Sequence, residues 1–104
     1  MATNDRQQAI GLVETRGVVA LAAAFEAMMK ATDVELLAID RVGGGVVFGA
    51  VRGSTAAVRL AVEIAEAAAA PHTTHLAVRM YVQPTDLGNE LLADGHLPRL
   101  PGRS

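Results

Sequence analysis

Apolar residues recur along this chain at two spacings, one typical of strands and the other of helices. Four runs rich in Val, Leu, Ile and Thr predict strands, and two Ala-rich runs between them predict helices. The predicted strands cover 8–15, 34–42, 46–52 and 74–83, and the predicted helices cover 18–31, about 54–70 and, as a short last helix, 85–92. Residues 1–7 are expected to form a flexible polar leader, and residues 93–104 are expected to form an irregular tail.

The polar residues within these runs predict which sides face the core. The first helix carries only Glu26 and Lys30 as charged residues, so we expect it to be covered on more than one side. The second helix begins with Ser54 or Thr55 as its N-cap. Its apolar stripe consists of Val58, Ala61, Val62 and Ala65. Simple alternation in the second strand puts Val34, Leu36, Ala38 and Asp40 on one face and Glu35, Leu37, Ile39 and Arg41 on the other.

The elements follow the order βαβ and then βαβ again. The two halves are weakly similar, because Arg16-Gly17 and Arg52-Gly53 each separate a strand from an Ala-rich helix. This order predicts an α+β fold, a four-stranded antiparallel sheet with helices on one face in a ferredoxin-like split βαβ arrangement. We expect residues 8–92 to form a single domain.

Three consecutive glycines, Gly43, Gly44 and Gly45, connect the second and third strands. Glycine loses more conformational freedom on folding than other residues, so three together need a reason. Either the backbone turns sharply with positive φ, or something approaches it closely. The connection is short enough that the two strands must be antiparallel neighbours. The stretch therefore predicts a hairpin tip, which we expect to meet the same tip of other subunits.

Composition and charge exclude several classes of protein. Hydrophobic residues make up 51% of the 104, many of them Ala, which favours self-association over a compact monomer. A net charge of −2 and few aromatic residues argue against nucleic-acid binding. The chain has no cysteine, so it has no disulfide or thiolate metal site, which fits the reducing cytoplasm. The longest apolar run, 18–25, is too short to span a membrane, and no signal peptide is evident.

No set of reactive side chains predicts catalysis. The sequence offers no paired carboxylates, no Ser/His/Asp set and no activated nucleophile. His72 and His75 have no third ligand nearby, and His96 lies in the tail, so solvated histidines are a simpler interpretation than a metal site. We therefore expect no enzymatic activity, no metal and no cofactor.

Four segments, at 9–17, 40–45, 51–53 and 81–84, carry motifs typical of one protein family. They resemble the single-domain shell proteins of bacterial microcompartments, the BMC family. Residues 9–17 are similar to the first strand of that family. Residues 40–45 are similar to its pore loop, in which a basic and an aliphatic residue usually precede Gly-Ser-Gly. Residues 51–53, followed by an Ala-rich helix, are similar to its second strand-to-helix turn, and residues 81–84 to the end of its last strand. The resemblance runs over about 8–92 in one colinear pass.

The resemblance implies a structural protein that forms flat cyclic hexamers. Such hexamers tile edge to edge into the shell of a polyhedral protein organelle in the bacterial cytoplasm. They lie beside shell paralogues and a vertex-capping protein, and the shell encloses metabolic enzymes. Six pore loops meet on the axis of each hexamer and form a channel for small metabolites.

Residue by residue, the resemblance implies that Gly43, Gly44 and Gly45 line the pore. Gly44 would lie at the narrowest point of the pore, where relatives often have Ser, and glycine there should widen the opening. Loop N–H groups turned inward would favour anionic or polar solutes. Arg41 replaces the usual Lys and would shape the electrostatics near the pore or support a subunit contact.

The resemblance also marks an edge between hexamers. Lys30 matches a lysine that packs against its symmetry mate in the next hexamer. Asp33 stands where Asn is common and could accept a hydrogen bond from that lysine. Gln83 stands where an Arg usually reaches into the neighbouring hexamer, which leaves the strength of lateral tiling open.

Alternatives from other classes fit parts of the pattern. A small-ligand-binding regulatory module could use the same ferredoxin-like sheet, with a ligand cleft between subunits of a small closed oligomer. Residues 41–48 faintly resemble an acylphosphatase phosphate loop, but that loop opens a helix and ends in Arg where Gly49 stands. A dinucleotide fingerprint fails because these glycines lead into a strand. Extended two-dimensional assembly separates the shell subunit from the regulatory module and the enzyme.

Overall fold

The structure, a computed structural model, describes residues 7–84, with the backbone alone at Gln7, Gln83 and Pro84. The strands are β1 (Gln7–Arg16), β2 (Glu35–Gly43), β3 (Val46–Ser54) and β4 (Leu76–Pro84). The helices are α1 (Val18–Ala31) and α2 (Thr55–Ala69), and a 3₁₀ turn covers Ala70–His72. The short helix expected at 85–92, the tail at 93–104 and the leader except Gln7 lie outside the described residues.

The four strands form one antiparallel sheet in the order β2-β3-β1-β4. Helix α1 lies over β1 and β3, helix α2 lies over β1 and β4, and the two helices pack against each other. Both helices cover the same face, so the predicted α+β split βαβ fold is confirmed. The Cα atoms span 38 × 34 × 15 Å, which is the shape of a thin slab.

The core lies between this sheet and the two helices. Alternate residues of β1 face the helices, and Ala9, Val13 and Thr15 are completely buried there. The predicted stripe of α2 is confirmed, because Val58, Ala61, Val62 and Ala65 are all buried. Gly49 lets α1 approach the sheet closely, since a Cβ atom there would overlap the ring of Phe25.

Local hydrogen bonds explain where the helices begin and end. Ser54 Oγ accepts a 3.1 Å bond from the backbone N–H of Ala57, so Ser54 rather than Thr55 is the N-cap of α2. Gly17, at φ 93°, turns the chain from β1 into α1 in a conformation that side chains disfavour. At the other end of α1, the hydroxyl and N–H of Thr32 both donate to the carbonyl of Met28.

The structure corrects one expectation about exposed faces. The simple alternation predicted for β2 is wrong, because a register shift between Leu36 and Ala38 puts these residues on opposite faces. Leu36 and Ile39 consequently share the helix side of the sheet. Helix α1 packs against both the sheet and α2, and Val19, on its remaining side, is 67% exposed.

Strand β4 begins two residues later than predicted. The hydroxyl of Thr73 accepts a bond from the N–H of His75 and donates to the carbonyl of His75 or of Arg16, which holds residues 73–75 in a turn. The backbone therefore becomes regular only at Leu76.

Candidate functional site

The three glycines form the tip of the β2–β3 hairpin. Their φ angles are 129° at Gly43, 62° at Gly44 and 84° at Gly45, so the positive-φ expectation is confirmed. Positive φ at both central residues, Gly44 and Gly45, is the feature of a type I′ turn. A Cβ atom at Gly43 or Gly44 would meet nothing within 4 Å. The backbone conformation, rather than crowding within the chain, is what requires glycine here.

Two residues at the end of β1 hold this tip. Arg16 Nη1 donates a 2.7 Å hydrogen bond to the carbonyl oxygen of Gly44. The backbone N–H of Gly17 donates a 2.8 Å bond to the carbonyl oxygen of Gly45. Sequence reasoning treated Arg16-Gly17 only as a break between strand and helix. A long basic side chain at the last position of a strand, followed by glycine, was the available signal.

Arg41 lies on the opposite side of the sheet from Arg16. It pairs with Val47, whose partner on β1 faces the helices, whereas Arg16 pairs with Val46. The N–H of Arg41 donates a 2.7 Å bond to Asp40 Oδ1. Among residues 7–84, its guanidinium makes no hydrogen bond to the tip.

The three expected edge residues lie toward the other end of the slab. Lys30 Nζ is 3.4 Å from Glu26 Oε2, and both side chains are at least 70% exposed. Asp33 is exposed just before β2 begins. The backbone of Gln83 pairs with Gln8, which in turn pairs with Ser54 at the end of β3.

The antiparallel register separates the tip from this edge by the length of the sheet. The tip joins the end of β2 to the start of β3, whereas the edge residues lie near the start of β2 and the end of β4. Val34, between Asp33 and β2, contacts Gly53 at the end of β3. The two groups of predicted site residues therefore lie at opposite ends of one thin slab.

Strand β2 is an open edge of the sheet. Within residues 7–84 it pairs only with β3, and all nine of its residues are exposed. Four of these residues are large and apolar, with exposed fractions of 42–59%: Leu36, Leu37, Ile39 and Val42. Of these, Leu36 and Ile39 lie on the helix side of the sheet. On α1, Val18 and Met29 are also exposed.

His75 contacts one carboxylate and does not belong to a cluster of ligands among residues 7–84. Its Nε2 atom lies 2.6 Å from Glu14 Oε2, with both side chains more than one third exposed. Within residues 7–84, no three His, Cys, Asp or Glu side chains come together as metal ligands. The helices described here are also too short or too polar to cross a membrane.

A family model for the BMC domain matches residues 9–85. This match covers most of the chain and includes the hairpin tip and both helices. The chain belongs to the BMC domain family. The recognition made from the sequence segments is thereby confirmed.

The chain is also similar to named shell proteins. The bacterial microcompartment shell protein EutM of Salmonella typhimurium strain LT2 is 45% identical over 62 residues, which are 60% of this chain and 65% of EutM. The major carboxysome shell protein CsoS1 of Prochlorococcus marinus subsp. pastoris is 48% identical over 62 residues, 60% of each chain. The shell protein PduA of Citrobacter freundii is 41% identical over 64 residues, 62% of this chain and 69% of PduA. The matched part thus spans a little under two thirds of the EutM relative.

Solved structures show the same fold. A microcompartment protein from Desulfitobacterium hafniense superimposes with a TM-score of 0.61 at 26% identity, covering 89% of this chain and 50% of that one. A hypothetical protein from Methanocaldococcus jannascii superimposes with a TM-score of 0.55 at 13% identity, covering 88% of this chain and 99% of that one. The second likeness concerns the fold alone.

Proposed function

We propose that this chain is a structural shell subunit of a bacterial microcompartment, without enzymatic activity. It forms cyclic hexamers that tile into the shell facets and carry a central glycine-lined pore for small metabolites. Membership of the BMC family and the named shell proteins among its relatives support this assignment.

The observation that carries the proposal is the open edge strand β2. A long exposed edge with unpaired backbone groups and apolar side chains promotes uncontrolled association unless another surface covers it. Ile39 is 55% exposed and Val42 is 59% exposed in the single chain. A second copy of the chain is the cover we propose. If β2 packs against a different surface of the next copy, repetition of that contact closes a ring.

The placement of the glycine tip supports a ring with its tips at the centre. The tip is the end of β2 and β3, so a contact along β2 brings neighbouring tips toward a common axis. Gly43, Gly44 and Gly45 have no side chains to fill the space on that axis. The proposed pore wall therefore consists of backbone groups, with the guanidinium of Arg41 nearby.

The opposite end of the slab would then form the outer rim of the ring. Lys30, Asp33 and Gln83 lie toward this end, which fits the proposed contact between hexamers. Glu26 already pairs with Lys30. Its carboxylate would offset part of the repulsion between two lysines that approach each other across the contact. We propose that shell paralogues, a vertex-capping protein and enclosed enzymes are the further partners, in the bacterial cytoplasm.

Native mass spectrometry of the purified protein tests the ring directly. We expect a species of six times the 10.8 kDa chain mass. A monomer, dimer or trimer as the largest species would contradict the hexamer. If a small ligand bound such a species, the regulatory alternative would replace the shell assignment.

A further inference from the structure

The central peptide group of the hairpin tip joins Gly44 to Gly45. Its carbonyl oxygen accepts the 2.7 Å bond from Arg16 Nη1. Because a peptide group is planar and trans, the N–H of Gly45 points away from the carbonyl of Gly44. This N–H therefore faces away from Arg16, and it finds no acceptor among residues 7–84.

Arg16 is held firmly enough to fix that peptide group. Its N–H bonds to the Thr73 hydroxyl at 3.0 Å and to the carbonyl of His75 at 3.3 Å. Its own carbonyl lies 3.2 Å from the Thr73 hydroxyl, which donates either to it or to the carbonyl of His75. The side chain thus extends from a fixed backbone, and its bond to Gly44 is charge-assisted, which makes it stronger than a bond between neutral groups.

The tip has two possible orientations without this bond. A two-residue hairpin favours type I′ and type II′ turns, which differ by a flip of the central peptide group. Glycine at both central positions permits either turn. In the flipped turn, the carbonyl of Gly44 would face outward in place of the N–H of Gly45. The bond from Arg16 therefore decides whether the tip presents the N–H of Gly45 or the carbonyl of Gly44.

We propose that Arg16 is the positioning residue of the tip. It keeps the N–H of Gly45 outward and places a guanidinium charge directly behind that group, so that the tip favours solutes bearing carboxylate or phosphate. In the ring of the proposed function, on which this inference rests, six such N–H groups line the pore. Arg41 makes no bond to the tip and has a smaller effect.

The test uses full-length ¹⁵N-labelled protein and inorganic phosphate as the probe. The amide resonance of Gly45 is followed during titration in the wild type, Arg16→Gln and Arg41→Gln. Arg79→Gln is the matched control, because Arg79 is an exposed arginine on β4 away from the tip. In the wild type we expect a saturable shift of the Gly45 resonance.

We expect Arg16→Gln to weaken the phosphate response by about tenfold and to move the resonance of Gly45 in the absence of phosphate. Arg16→Lys should restore part of the response, and Arg79→Gln should respond like the wild type. A melting temperature within a few degrees of the wild type would separate this effect from a loss of folding. A wild-type response in Arg16→Gln, or an equal loss in Arg41→Gln, would overturn the inference.

This readout is independent of the ring. The orientation of Gly45 and its phosphate response are measured in whatever assembly the protein forms. Native mass spectrometry of the same samples reports the number of chains. A missing hexamer therefore contradicts the proposed function, whereas an unchanged Gly45 response contradicts the role of Arg16.

Discussion

Replacing Ile39 by Asp should break the ring while leaving the single chain folded. Ile39 is 55% exposed in the single chain, so a neighbouring copy can bury about half of its side-chain surface. Full burial of such a side chain contributes about 1.5–3 kcal/mol, so the lost apolar contact costs roughly 1 kcal/mol or slightly more. An aspartate in the contact adds the cost of an unpaired carboxylate, about 1–3 kcal/mol or more. Each contact should therefore weaken by about 2–4 kcal/mol, or roughly 30- to 1,000-fold.

Light scattering after size-exclusion chromatography, over a range of protein concentrations, measures this change. We expect Ile39→Asp to elute as smaller species at concentrations where the wild type is a hexamer. Ile39→Leu is the matched control, because it keeps an apolar side chain of the same volume and should keep the ring. Circular dichroism should show the same secondary structure in both variants. A stable Ile39→Asp hexamer would refute the assignment of β2 as the contact between subunits.

Three further changes probe the rim, the pore and the core. Lys30→Ala should weaken sheet formation but spare the hexamer, as seen by electron microscopy, and unchanged sheets would count against the rim assignment. Gly44→Phe should cost about 1–2 kcal/mol of stability from its positive φ and should reduce shell permeability to small solutes, and unaltered permeability would contradict the pore assignment. Gly49→Ala should lower the free energy of unfolding by roughly 1–3 kcal/mol in denaturant titrations, because its methyl group would overlap Phe25, and a change below about 0.5 kcal/mol would contradict that packing.

Sequence reasoning predicted the fold because local patterns and turn chemistry agreed. The strand-forming runs, the Ala-rich runs and the glycine hairpin predicted the element order, and that order matches one compact sheet topology. The buried stripe of α2 followed from its helical spacing. These features depend on residues close together in the chain.

Features that depend on tertiary contacts were not predicted. The register shift near Leu37 comes from pairing with β3, and simple alternation within β2 gives no sign of it. The bond from Arg16 to Gly44 joins residues 28 positions apart, so only the fold brings them together. The contact of His75 with Glu14 likewise joins residues 61 positions apart. The glycine tip was found from the chain itself. The roles of Gly43–Gly45 and Lys30 came from the family resemblance, whereas Arg16 emerged from the geometry.

Negative-stain electron microscopy of the purified wild-type protein tests the central claim most directly. The shell assignment predicts six-membered rings with a central hole, arranged edge to edge in sheets or tubes. Isolated six-membered rings would keep the hexamer and show that contacts at Gln83 are too weak for tiling without partner subunits. Particles without six-fold symmetry would contradict the account.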